Sequence, residues 1–186
     1  MPDLNHKLLV LAGPTAVGKG TVARHIIEHN PQVVLSVSAT TRAPRPGEVD
    51  GVSYYFLTDD EFDELIAKNQ MLEFAVVHGK HRYGTPKQPV EAALAEGKAV
   101  LLEIDIQGAR QVKQRMPQAT TVFLAPPSWD ELVRRLEGRA TENPEEMARR
   151  LETARVELAA QGEFDHVIVN DEVAKCAAAV VRLIMS

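Results

Sequence analysis

Two glycines and a lysine near the start of the chain have the spacing of a phosphate-binding loop. Four residues separate Gly13 from Gly18, and Lys19 follows directly. The glycines allow a backbone whose successive N–H groups point inward, and the lysine adds a full positive charge near the β- and γ-phosphates of a nucleotide. A buried strand, Gly-x4-Gly-Lys and a helix in that order are typical of such a cradle. A glycine-rich turn with a surface lysine is the alternative interpretation.

The position after the lysine departs from the usual form of this loop. A Ser or Thr normally stands there, and its hydroxyl contacts Mg²⁺. This chain has Gly20 at that position and Thr21 after it. The sequence therefore predicts a phosphate cradle but leaves the direct contact between a hydroxyl and the metal open.

Two arginines lie three residues apart in a stretch that cannot form a helix interior. Arg42 and Arg45 are interspersed with Pro44, Pro46 and Gly47, which restrict the loop. Arginine is suited to bidentate contact with phosphate, so the pair indicates a second anion site. Two solvated arginines on a loop are the alternative.

Acidic residues stand at the end of the most apolar predicted strand, residues 99–105. Glu103 and Asp105 are two apart and are expected on one face, where a cation, a metal or hydrogen-bond donors would have to meet them. In an open α/β sheet a ligand binds at these strand ends. A strand that frays into a polar loop is the alternative. A further carboxylate, Glu73, lies inside a predicted strand at 71–77.

A second group of arginines accompanies two helices in the last third of the chain. Gly138 and the polar run after it predict a mobile hinge or lid, and the following helix, residues 144–161, carries Arg149, Arg150 and Arg155. An ordinary charged helical hairpin is the alternative.

The elements that must position these residues alternate along the chain. Apolar runs predict five core strands that alternate with helices: 8–12, 33–37, 99–105, 120–125 and 167–170. This pattern predicts an α/β fold with a parallel sheet between layers of helices and right-handed crossovers. Residues 38–88 interrupt it as a small α+β insertion, with strands at 53–57 and 71–77 and a helix capped by Asp59.

Composition limits the class of protein. The 186 residues are 45% hydrophobic and 25% charged, with a net charge of −5. They suit one globular domain and argue against nucleic acid or an anionic membrane as the main partner. The single cysteine, Cys176, excludes an internal disulfide. With no signal pattern at residues 1–6 and no run long enough to span a membrane, we expect a cytoplasmic protein.

Taken together, the motifs resemble those of the guanylate kinases from end to end. The matching segments follow in order at 13–19, 38–48, 83–85, 103–108, 136–139 and 167–171. The resemblance implies a P-loop core (5–37, 89–137 and 160–186), a GMP-binding insertion (38–88) and a helical lid (about 138–159). It also implies transfer of the γ-phosphoryl group of ATP to GMP, and to dGMP as well, in purine nucleotide metabolism.

The resemblance also implies roles for individual residues. The expected ATP-binding residues are Gly13, Pro14, Thr15, Ala16, Val17, Gly18, Lys19, Gly20, Thr21 and Asn170. The expected GMP-binding residues are Ser38, Arg42, Arg45, Tyr54, Glu73, Tyr83, Thr85 and Asp105. The expected catalytic residues are Lys19, Arg42, Arg135, Arg139 and Arg150. Mg²⁺ is the expected cofactor, held by Thr21, through water or by Asp105.

Guanine suits this set of residues, because its N1–H and N2–H₂ donors lie side by side and one carboxylate such as Glu73 can accept both. Adenine offers no such pair and would leave the carboxylate desolvated and unpaired. A kinase for another nucleoside monophosphate is one competing hypothesis. A peptide-binding domain of the same fold is the other, and the intact loop at Lys19 argues against it. The expected partners are therefore ATP and GMP, and the oligomeric state stays open.

Overall fold

The computed structural model of the protein describes residues 7–77, 79–138 and 143–186. The strands in these ranges are β1 (Leu8–Ala12), β2 (Val33–Leu35), β3 (Ala39–Thr40), β4 (Tyr55–Phe56), β5 (Met71–Val77), β6 (His81–Pro86), β7 (Ala99–Glu103), β8 (Thr120–Ala125) and β9 (His166–Val169). The α-helices are α1 (Lys19–His29), α2 (Asp59–Ala67), α3 (Lys87–Ala95), α4 (Ile106–Arg115), α5 (Trp129–Gly138), α6 (Pro144–Ala159) and α7 (Val173–Met185).

The core is a five-stranded sheet in the order β2-β7-β1-β8-β9, and all of its pairings are parallel. This confirms the predicted α/β fold. Strand β1 lies at the centre and is buried along its whole length. A parallel sheet covered on both faces needs apolar residues at every position, which explains the unbroken run from Leu8 to Ala12.

Alternate residues of β1 face two different helical layers. Val10 belongs to a core cluster with residues of α3 and α4, whereas Leu9 belongs to a cluster with residues of α1 and α7. Each such fully buried aliphatic side chain contributes about 1.5–3 kcal/mol. The central strand therefore fixes the position of the loop that follows it.

The predicted insertion contains a second sheet, in the order β4-β3-β6-β5. Strand β6 is antiparallel to both β3 and β5, and it occupies a segment in which the sequence predicted no strand. Phe62 of α2 packs on this sheet against Ala39 and Met71. Long-range pairing therefore makes a strand of residues whose local pattern did not indicate one.

Two of the differences from the predicted boundaries have a clear cause in hydrogen bonding at a helix N-terminus. Thr58, not Asp59, caps α2, because its hydroxyl accepts from Glu61 N while the Glu61 carboxylate accepts from Thr58 N. The strand predicted to extend to Asp105 ends at Glu103, since Asp105 is the N-cap of α4 and its Oδ1 accepts from Gly108 N at 2.7 Å.

Helix α4 fastens the second sheet to the core. The Gln111 side chain accepts from Phe74 N at 3.1 Å and donates to Phe74 O at 3.0 Å, so it pairs with the outer edge of β5 as another strand would. Arg115 donates to Leu72 O at 2.9 Å. Among the helices of the described ranges, none is long and apolar enough to cross a membrane.

Candidate active site

The loop after β1 has the backbone of a phosphate cradle. Gly18 has φ +101°, and a Cβ added there would lie 2.7 Å from Asn170 Nδ2. A Cβ added at Gly13 would lie 2.4 Å from Leu124 O. Both glycines are therefore required by close approach, and Gly18 also by its left-handed conformation.

Lys19 and the start of α1 make this loop positive. The Lys19 ammonium donates to Gly13 O at 2.7 Å and to Pro14 O at 3.3 Å, which folds the side chain across the loop. Gly18 is the N-cap of α1 and brings no side-chain cap. The helix dipole favours an anion at this end of α1.

Two donors brace the loop through one carbonyl group. Val17 O accepts from Asn170 Nδ2 at 2.9 Å and from Arg135 Nη1 at 3.1 Å. Asn170 is buried at the end of β9, and Arg135 is also bonded to Glu131 of its own helix. The structure therefore places these two predicted site residues at the loop itself.

Side-chain oxygens next to Gly20 could bind a metal ion that is carried by a nucleotide. A Cβ at Gly20 would lie 3.6 Å from Glu103 Oε1 and 3.8 Å from Oε2, so this carboxylate faces the position usually held by a hydroxyl residue. Thr21 is exposed beside it. In the described part of the chain, no three His, Cys, Asp or Glu side chains form a metal cluster.

The arginine loop holds its main cation in place before any ligand arrives. Arg42 forms a bidentate ion pair with Glu48, with Nη2–Oε1 at 2.8 Å and Nη1–Oε2 at 3.0 Å, and its Nε donates to Tyr83 OH at 3.2 Å. The guanidinium also lies over the ring of Tyr54, 5.4 Å from its centroid. These bonds raise the pKa of Arg42 and lower that of Glu48.

The other predicted residues of this loop are close by. Arg45 is exposed, and its backbone N donates to Glu48 Oε2 at 2.7 Å. Ser38 immediately precedes β3. Glu48 was missed as a functional residue, although its position six residues after Arg42 in a tight loop is a local signal.

A buried carboxylate lies where the second sheet meets α4. Glu73 is 6% exposed, and its Oε1 accepts from Thr85 Oγ1 at 2.7 Å. Burial raises the pKa of Glu73 to about 7, and the Asp105 carboxylate acts in the same direction.

Gly108 gives this pocket its room. A Cβ there would lie 2.9 Å from Glu73 Oε2 and 3.1 Å from Asp105 Oδ1. The structure thus brings Glu73, Thr85 and Asp105 together, as the sequence predicted. Gly108 also determines the shape of the pocket, although the sequence alone suggested no role for it.

The remaining predicted arginines come from the helical pair. Arg150 of α6 is ion-paired with Glu146 at 2.5 Å, whereas Arg139 lies outside the described residues. Arg149, which was given no role, lines a cavity of about 440 Å³ together with Thr15 of the loop.

Two adjoining cavities lie beside the phosphate loop, α4 and α6. A neighbouring cavity of about 490 Å³ lies between α4 and α6, and it shares Arg149 and Thr153 with the first. Its other lining residues are Asp105, Ile106, Gln107, Arg110, Glu152, Val156, Glu157 and Ala160. The two adjoining cavities thus contact Thr15 of the phosphate loop and Asp105 of the carboxylate pocket, and together they leave room for two ligands.

Comparison with known proteins gives a consistent result. A family model described as guanylate kinase matches residues 5–186. A guanylate kinase of Leifsonia xyli subsp. xyli is 64% identical over 178 residues, which cover 96% of this chain and 70% of that protein. A guanylate kinase of Nocardia farcinica is 61% identical over 181 residues, which cover 97% of this chain and 94% of that protein.

Solved structures show the same likeness. The crystal structure of guanylate kinase from Anaplasma phagocytophilum matches with a TM-score of 0.73 and 34% identity, over 96% of this chain and 84% of that one. A shikimate kinase from Bacteroides thetaiotaomicron matches with a TM-score of 0.51 and 13% identity, over 96% of this chain and 98% of that one, and shows a likeness of fold alone.

Proposed function

This chain belongs to the guanylate kinase family and catalyses ATP-dependent phosphorylation of GMP, and from that premise we propose how its residues divide the work. The observation that carries the proposal is the pair of adjoining cavities, one lined by Thr15 of the phosphate loop and the other by Asp105, whose carboxylate lies beside buried Glu73 at Gly108. We assign the cradle to ATP and the pocket to GMP. We also propose the division into core, insertion (38–88) and lid (about 138–159), and a cytoplasmic location.

The loop from Gly13 to Thr21 holds the phosphates of ATP. Its supporting features are the uncapped N-terminus of α1 and the ammonium of Lys19. Asn170 and Arg135 keep the loop in shape through Val17 O. Both therefore act on ATP by positioning the backbone that binds it.

The insertion holds the phosphate of GMP. Arg42 is the central group, and Arg45, Ser38, Tyr54 and Tyr83 complete the site. Phosphate pairs well with a guanidinium in a bidentate manner, so the phosphate of GMP can compete with Glu48 for the face of Arg42 that Glu48 contacts.

The pocket of Glu73, Thr85 and Asp105 reads the base. Ionised Glu73 accepts N1–H and N2–H₂ of guanine together, and Thr85 holds the carboxylate in position. Adenine places the acceptor N1 beside its N6–H₂ donor, so the buried carboxylate would lose one of the two donors that guanine offers, at a cost of about 1–3 kcal/mol or more for a charged group. These contacts involve base and phosphate alone, so dGMP is a substrate as well.

The residues near Gly20 fit a magnesium ion that arrives with ATP. Mg²⁺ in kinases is held by one or two carboxylates, water and the phosphates themselves. Glu103 faces Gly20, and Thr21 lies beside it, whereas Asp105 uses Oδ1 to cap α4. We therefore assign the metal to Glu103 and Thr21, directly or through water. The bound ion neutralises charge on the transferred phosphoryl group.

The transfer needs alignment more than acid–base chemistry. An anionic phosphate oxygen of GMP attacks the γ-phosphorus of ATP, and the bond from that phosphorus to the β–γ bridging oxygen breaks to give GDP and ADP. Lys19, Arg42 and the arginines Arg135, Arg139 and Arg150 supply positive charge along the path. Closure of the helical pair excludes water and so suppresses hydrolysis of ATP.

The test is ADP formation from ATP and Mg²⁺ with GMP, dGMP, AMP, CMP and UMP in parallel. Turnover with GMP and dGMP alone supports the assignment of the base pocket. Comparable turnover with AMP would overturn the roles of Glu73 and Asp105 while leaving the fold unaffected.

A further inference from the structure

Helix α6 places a carboxylate against the phosphate cradle. Glu157 Oε2 accepts from the backbone N of Thr15 at 3.3 Å, across 142 residues of sequence. Thr15 is the third residue of the loop, and its N–H is one of the donors that a phosphate oxygen would use. The Glu157 carboxylate therefore occupies a position that a bound anion would use.

The charges around Glu157 are those of the cradle. Lys19 favours its ionised form, Asp105 opposes it, and partial burial raises its pKa. Burial is the largest of these effects, so the carboxylate stays at the loop through the Thr15 N–H group and the charge of Lys19 and against the cost of its burial. A phosphate group entering the loop would meet a like charge next to the same N–H group.

Packing holds this part of α6 at the loop. Ala16 lies in one core cluster with Leu132 and Leu136 of α5 and Ala154 of α6. Arg150, Ala154 and Glu157 follow at intervals of four and three, so they share one stripe of the helix. The stripe that carries Arg150 is therefore anchored to the cradle by Glu157.

We propose that Glu157 is a positioning residue that imitates a nucleotide phosphate oxygen at Thr15 N until ATP displaces it. The displaced carboxylate releases its end of α6, so binding of ATP is coupled to the position of the helix that bears Arg149 and Arg150. The inference rests on the proposed role of residues 13–21 as the ATP phosphate cradle.

The two explanations of the contact predict opposite effects of removing the charge. If Glu157 only stabilised the loop, its loss would loosen the cradle and weaken phosphate binding. If it imitates a phosphate oxygen, its loss removes a competitor and strengthens binding. A gain of affinity is an outcome that a purely structural role does not produce.

The experiment measures binding of inorganic pyrophosphate and of ADP by titration calorimetry, without GMP, to the wild-type chain and to Glu157→Gln. We expect binding of both ligands to tighten about fivefold or more, the lower end of usual coupling effects. Steady-state KM for ATP should fall without a rise in kcat. Glu157→Ala should change affinity in the same direction and serves if the glutamine variant does not fold.

Glu152→Gln is the matched control, since Glu152 lies on the same helix and lines the same cavity but pairs with Arg155 at 3.7 Å. It should leave both affinities unchanged. Lys19→Ala separates the two proposals, because loss of pyrophosphate binding in that variant supports the cradle. If Glu157→Gln binds pyrophosphate as wild type does or more weakly, while Lys19→Ala does not bind it, the role of Glu157 alone is overturned. If Lys19→Ala binds pyrophosphate normally, the assignment of the phosphate cradle itself is overturned.

Discussion

The hydroxyl of Thr85 donates a 2.7 Å hydrogen bond to Oε1 of Glu73, and both residues are buried between the second sheet and α4. One oxygen of the carboxylate is thereby fixed, and the pocket is shaped before guanine enters. The residues around Glu73 determine which further hydrogen bonds its carboxylate can accept.

Binding of the guanine base should depend on pH. The pKa of Glu73 is raised to about 7, and only the ionised form accepts both donors of guanine. From pH 8 to pH 6 the dissociation constant of guanosine should rise by about tenfold. Guanosine is the ligand to titrate, because it lacks the phosphate that would itself change charge. Glu73→Gln should bind weakly at every pH, and a pH dependence retained in that variant would contradict the assignment.

The stability of the protein without nucleotide should depend on the same ionisation of Glu73, but in the opposite direction. Ionisation strengthens binding of guanine and weakens folding. Because the folded pKa of Glu73 lies above its ordinary value of 4.5, its protonated form favours folding. That stability is complete below about pH 4.5 and is lost as pH rises through about 7, by at most about 3 kcal/mol. Urea unfolding should therefore find Glu73→Gln more stable than wild type at pH 8 and no more stable at pH 5. Equal differences at both pH values would refute the linkage.

Arg42→Ala should weaken binding of GMP but not of guanosine. Charge-assisted hydrogen bonds contribute about 1.5–3 kcal/mol, so the dissociation constant of GMP should rise by about 10- to 150-fold. Lys68→Ala, an exposed change in the same insertion, is the control. If guanosine binding falls by the same factor, Arg42 supports the insertion as a whole and not the phosphate site.

Arg139→Ala should lower kcat far more than it weakens binding of GMP. An arginine that stabilises charge in the transition state of phosphoryl transfer contributes about 10³–10⁵ in rate. Single-turnover kinetics with saturating GMP and ATP would measure the loss. Turnover near that of the wild type would remove Arg139 from the mechanism.

Glu103→Gln should loosen the metal in the nucleotide complex. Loss of such a group typically costs about 10–100-fold in metal affinity. Electron paramagnetic resonance of Mn²⁺ in the presence of ADP reports this without catalysis. Gly20→Ser is the companion variant, because a Cβ there meets only Glu103 at ordinary contact distance, and it should bind Mn²⁺ at least as tightly as wild type. Unchanged affinity in Glu103→Gln would assign the metal elsewhere.

Local sequence patterns were sufficient to predict most of the fold. The apolar run of β1, the loop from Gly13 to Lys19 and the alternation of strands and helices follow from periodicity and glycine chemistry, and each is confirmed. The cap of α2 could also have been predicted from the sequence, since Thr58 and Glu61 have the spacing of a capping box. The prediction of Asp59 as the cap was wrong.

Contacts between distant segments could not be predicted in this way. Strand β6 exists because β3 and β5 pair with it on either side, and its own residues carry no clear alternation. The bond from Thr15 to Glu157 spans 142 residues, and a glutamate in a charged helix gives no local sign that it reaches a phosphate loop. The motifs thus indicated candidate binding residues, but not the carboxylates that contact them from distant parts of the chain.

The pairing of β3 with β6 has a consequence for how such proteins diversify. Ala39 lies opposite Gly84, so the chain enters and leaves the second sheet on adjacent strands. A unit whose two ends adjoin can be exchanged by two recombination events without rethreading the rest of the chain. Residues 38–88 carry Glu73 and Thr85 but not Asp105, so a chimera with this segment from a relative should shift its choice of nucleotide toward that of the donor, and fully so only where the donor also has Asp at the position of Asp105.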